Sequence, residues 1–125
     1  MKGITKVLFA LFFIIAIGLH IKSVIEGDGK PFWWHGLYFI TYGTCWWMLF
    51  SENKLRAWIF AFMAIFPFST HAYYGYLHFS KLDMQFWICV LVCATLIFGF
   101  WKIRNEKIKL IQNKNRYTTL CWRQL

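Results

Sequence analysis

Acidic residues are scarce in this chain: five in 125, namely Glu26, Asp28, Glu52, Asp83 and Glu106. None lies inside a long apolar stretch, so no buried carboxylate pair is on hand for general acid–base catalysis. A Ser/His/Asp set at recognisable spacing and a glycine-rich phosphate loop are missing too. Catalysis is therefore not the expected function. Cysteine is sparse, with four in the chain. Cys45, Cys89 and Cys93 fall in apolar stretches and Cys121 in a basic tail, which makes no disulfide framework. The two prolines and eight glycines form no linker, and no repeat is evident, so the chain reads as one domain.

What fills the space is apolar. Hydrophobic residues make up 59%, aromatic residues 22% and charged residues only 15%, against about 25% charged in a soluble domain. So short a chain has too little interior to hide those side chains, and they must face lipid. Apolar stretches run over about 4–25, 32–50, 55–77 and 84–103. Each is close to the ~20 residues that cross a hydrocarbon core ~30 Å thick. A span in lipid satisfies its backbone internally, so each is expected to be helical. The expected fold is all-α, a bundle of four antiparallel transmembrane helices followed by a basic tail at 104–125.

The charges orient the bundle. The formal net charge is +9, which could suggest a nucleic-acid partner, but the distribution argues against one. Eleven of the basic residues lie at the N-terminus, in SENKLR and in the tail; Lys22, Lys30 and Lys81 lie in the other two connections. The positive-inside rule then places both termini in the cytoplasm, N-in and C-in, in what is expected to be a bacterial inner membrane. Trp33, Trp34 and Trp87 near the outer ends and Trp46, Trp47, Trp58 and Trp101 near the inner ends match interfacial belts. The start, MKGITKVLFALFFIIAIG, also reads as a secretory signal, although Ala16-Ile17-Gly18 is a poor cleavage site and the apolar run continues past it. The tail mixes Ile103, Ile108, Leu110 and Ile111 with lysines. Its first half is expected to extend the fourth helix toward anionic lipid headgroups, where each lysine contributes ~1 kcal/mol.

The polar residues inside the spans carry the functional question. In HAYYGYLH, His71 lies seven residues, or ~10 Å, deeper than His78 and on the same helical face, with Tyr74 and Pro67. The second helix has a comparable stripe of His35, Tyr38, Tyr42 and Cys45, and His20 lies close to the outer end of the first. All four histidines fall in the outer half of the bilayer or at its edge. Ionisable groups at such depth are functional by default. Imidazole ligates transition metals, and His20, His35, His71 and His78 are candidates for copper, zinc or, as axial ligands, haem. Cys89 and Cys93, four apart on the fourth helix, are weaker candidates for a soft metal. The alternative for the histidines is hydrogen bonding to headgroups, water or a neighbouring helix, and for the cysteines packing.

His71 is expected to face the interior and find a partner on another helix, from His20, His35, Tyr38 or Tyr42, whereas His78 needs only water. Loop acids Glu26, Asp28 and Asp83 could join the histidines, although loop acids are usually just solvated. Pro67 should kink the third helix below His71. Gly36 and Gly43, seven apart, should form a flat face for another helix. LFFIIAIGLH and KLRAWIFAFMAIFPFSTH resemble the DoxX-like family of small bacterial four-helix membrane proteins. They cover about a quarter of the chain; the dense tryptophan and the tail depart from that pattern, and no functional residue is carried over. Three functions are expected: metal or haem binding in transport or redox work, an accessory role in a homo-oligomer or larger membrane complex, and proton-coupled movement of a small solute.

Overall fold

A computed structural model describes residues 3–124; Met1, Leu125 and Lys2, one of the basic residues counted above, lie outside the described residues. The chain is all-helical, with α1 (Gly3–Glu26), α2 (Phe32–Phe50), α3 (Arg56–His78) and α4 (Met84–Gln124). Connections are short, and the close helix pairs are α1–α2, α2–α3 and α3–α4. Two helices, α1 and α4, are long and apolar enough to cross a membrane. The other two carry polar side chains within their apolar runs, among them His35, Thr41, Thr70 and His71.

Each helix buries one stripe, and in α1 and α4 its residues alternate at spacings of three and four. They are Phe9, Phe13 and Ala16 of α1 and Cys89, Val92, Leu96, Gly99 and Ile103 of α4. Such seams let neighbouring helices interdigitate at shallow crossing angles. Phe13, Tyr42, Phe60 and Leu49 are the largest buried side chains. The outer surfaces stay apolar: Leu8, Ile15, Ile40, Phe62, Ile65 and Leu91 are all exposed.

Glycine sets two close approaches, at positions other than those expected. A Cβ on Gly75 would lie 3.2 Å from Cys89 Cβ, and one on Gly99 only 2.9 Å from Phe60 Cζ. Nothing lies within 4 Å of a Cβ on Gly36 or Gly43, so the expected flat face on α2 meets no helix of this chain. Pro67 is buried inside an uninterrupted α3. The fourth helix also runs further than expected, through the whole described tail to Gln124. No glycine or proline follows Gly99, and Lys, Gln, Arg and Leu sustain the helix. At the basic end, Arg56 donates to Glu106 at 3.1 Å and to the Ser51 carbonyl at 2.9 Å, tying the start of α3 to α4.

Candidate functional site

The stripe His35, Tyr38, Tyr42 on α2 faces inward because its spacing of three and four keeps one side of the helix in register. His20 of α1 stacks on Tyr38, with ring centroids 3.9 Å apart, and approaches His35 at 5.9 Å and His71 at 6.2 Å. His71 of α3 in turn meets Tyr38 edge-on at 5.6 Å. Three histidines from three helices thus converge around two tyrosines. His35 is 2% exposed, His71 9% and Tyr42 0%.

Hydrogen bonds fix two of the imidazoles. His35 Nε2 lies 3.2 Å from Asp28 Oδ1 and His71 Nδ1 lies 2.7 Å from the Pro67 carbonyl oxygen. Both partners only accept, so those nitrogens carry the proton. In the neutral rings, His35 Nδ1 and His71 Nε2 are then left as acceptors. His35 Nδ1 is buried without a hydrogen-bond partner in the protein, as is the Tyr42 hydroxyl. The Tyr38 hydroxyl is satisfied by Thr70 Oγ1 at 2.6 Å, and Thr70 passes the bond on to the Phe66 carbonyl at 3.0 Å.

The turn between α1 and α2 closes over this site. Gly27 and Gly29 have φ of +71° and +76°, conformations that glycine adopts without a side-chain clash. They bring Asp28 beneath His35 and send Lys30 across to α3, where Nζ donates to the Tyr74 hydroxyl at 2.6 Å. The Lys30 backbone N–H, and then His35, hold the Asp28 carboxyl below its ordinary pKa. Behind the turn is a cavity of about 130 Å³ that includes Ser23, Lys30, His35 and Tyr74 in its walls. A second, of about 250 Å³, reaches Tyr42, Lys22 and Val92. Both share His20, Ser23, His71 and Gln85, and these two adjoining cavities make up a chamber with polar side chains in its wall.

Several expectations need correction. His71 finds its hydrogen-bond partner on its own helix, at Pro67, and meets its expected partners on other helices through ring contacts. His78 stands apart from the other three; its Nδ1 lies 2.7 Å from Asp83 Oδ2. Of the three loop acids, Asp28 and Asp83 partner histidines while keeping side chains 31% and 37% exposed, and Glu26 is exposed beside Lys22. Cys89 accepts from Gln85 Nε2 at 3.7 Å and Cys93 donates to the Phe68 carbonyl at 3.7 Å, so the two make separate local contacts. Among the described residues, no group of three or more His, Cys, Asp or Glu side chains is arranged to hold a metal ion. Lys30, Ser23, Thr70 and Gln85 were not singled out by the sequence. Only the Gly-Asp-Gly turn seven residues before His35 hints at Asp28.

No family model, curated protein or solved structure matches this chain. The DoxX-like resemblance rests on its two short stretches alone.

Proposed function

We propose that this chain is a four-span membrane protein, N-in and C-in, whose outward chamber binds a small hydrogen-bonding ligand in the service of transport. The observation that carries it is the set of inward polar atoms without protein partners: His35 Nδ1 and the Tyr42 hydroxyl, both buried. Such atoms cost about 1–3 kcal/mol each in an apolar bundle, and a small rotation of the His35 or Tyr42 ring would turn its atom to a ligand in the adjoining chamber. Each of the three neutral imidazoles presents a lone pair, so the preferred ligand carries hydrogen-bond donors. Support for four spans comes from the large apolar residues exposed on every helix, such as Ile15, Ile40, Phe62 and Leu91. Phe13, Phe60 and Leu96 pack the interior toward the basic end, which argues for binding over a through-going path.

A second reading places one transition metal on His20, His35 and His71. It is favoured by the way Asp28 and the Pro67 carbonyl hold two imidazoles, since metal-bound histidines donate their other N–H to such groups. It requires side-chain rotation, because the three rings do not converge on a common point among the described residues.

Purified protein analysed for metals, by absorption and by native mass spectrometry separates the two. An organic ligand retained by the native chain and lost from His71→Leu supports the first. Stoichiometric copper or zinc, or a haem spectrum, replaces it with the second. Both proteins at the bare masses of their own sequences, with no metal, would remove both.

A further inference from the structure

We propose that the basic end of the bundle seats the phosphate of an anionic phospholipid, in the recess between the α2–α3 connection and α4. This site lies at the opposite end from the chamber. It shares with the chamber only the reading that the chain spans a membrane.

The recess follows from the unequal reach of two helices. The buried stripe of α4, which ends at Ile103, continues at spacings of four and three to Lys107 and Leu110. Its neighbour α3 starts at Arg56, and the 3.1 Å bond from Arg56 to Glu106 sets the two helices level there. Leu110, four residues further on, therefore stands about 6 Å beyond the start of α3. Opposite Lys107 and Leu110 there is no helix, only the connection that leads into α3. Between the two lies a cavity of about 620 Å³, with Lys54, Arg56 and Lys107 in its wall beside the apolar Ala57, Ile103 and Leu110.

Charge and depth name the occupant. Arg56 is held in place by Glu106 and the Ser51 carbonyl, which take two of its five N–H donors. Lys54 and Lys107 are exposed, and among the described residues neither has an ion pair. Glu52 is the one acid in the wall and cannot balance both lysines. An anion completes the set. Trp58 and Trp101, within two residues of the wall positions Ala57 and Ile103, are both exposed. Exposed indoles sit at headgroup level, so the cations of the recess lie where lipid phosphates lie. Basic pockets between helices at that level take anionic head groups. The apolar side of the wall suits the glycerol backbone of a lipid and gives a free phosphate nothing to bury.

The test uses the full chain in phosphatidylcholine vesicles holding a trace of phosphatidylglycerol with a diazirine in its head, and adducts mapped by peptide mass spectrometry. The control is the stretch 114–123, which is exposed and carries Lys114, Arg116 and Arg123 outside any recess. Labelling per residue over 52–57 and 103–110 should exceed that of the control by about tenfold. Lys54→Gln together with Lys107→Gln should bring it down to the control level. Lys114→Gln with Arg116→Gln, an equal loss of charge elsewhere, should leave it unchanged. Glu52→Gln should raise it about fivefold, by removing the opposing charge. Phosphatidylcholine with the same diazirine should label the recess no more than the control. Excess inorganic phosphate should leave the labelling intact, and displacement by it would overturn the lipid assignment. Equal labelling of recess and control, or equal losses from the two double substitutions, would overturn the inference and leave the chamber to be judged by its retained ligand. A chain that fails to float with the vesicles would defeat this site and the four-span reading together.

Discussion

The two histidines of HAYYGYLH show how depth and partner decide the weight of one side chain. His71 is buried against Tyr38 and His20 and bonded to Pro67 at 2.7 Å. His71→Leu removes that bond and its ring contacts, and should lower stability in detergent by about 1–2 kcal/mol. His78→Leu, at a half-exposed pair, should lower it less; equal shifts in the midpoint of thermal unfolding would refute this ranking. The His78 ring beside Asp83, followed by the Phe86 N–H, holds that carboxyl below its ordinary value of 3.8. A depressed folded pKa contributes stability above the unfolded value and loses it as pH falls through the folded one. The stability difference between the native chain and Asp83→Asn should therefore persist at neutral pH and vanish on acidification below about 3.8. A difference that grows as the pH falls would contradict the pairing.

At the scale of helices, glycines distinguish packed faces from open ones. Gly99 lets α4 rest on the fully buried Phe60 ring, which has no room to retreat. Gly99→Ala should destabilise by about 1–3 kcal/mol through overpacking. Gly43→Ala meets nothing within 4 Å and should be neutral or stabilising by up to about 1 kcal/mol, since alanine favours helix. Matched thermal melts of the two variants test the pair of statements, and an intolerant Gly43 would instead mean that another chain covers that face of α2. The expected packing role of Gly36 and Gly43 failed here for a definite reason. Seven-residue spacing aligns two positions on a helix but does not say which side of that helix has a neighbour.

For the whole molecule, the distribution of basic residues is the main determinant of orientation. Lys54, Arg56 and the lysines and arginines of α4 beyond residue 101 lie at one end of the bundle, and Lys30 and Lys81 at the other. A C-terminal fusion should therefore be active with a cytoplasmic reporter and silent with a periplasmic one. The reverse pattern would invert the bundle and turn the chamber to the cytoplasm. The long α4 also carries its charged last turns clear of the core, since Lys107 and every described residue after it is exposed.

The amino-acid sequence by itself determined the four helices to within a residue or two, apart from the far end of α4. Apolar runs of set length and turn residues between them are local properties of the chain. It also determined that the histidines share one end, because position along a helix translates directly into depth. Only the tertiary structure decided that His20, His35 and His71 meet while His78 does not, since that depends on how each helix is rotated toward its neighbours. It decided, too, that Asp28 and Asp83 serve histidines, because a turn's path is set by the helices it must join. The meeting of α1 with α4 at Phe9 and Phe98, stacked with ring centroids 5.8 Å apart, belongs to the same class. Each helix satisfies its own backbone and its own stripe, and nothing local to either one sets that contact.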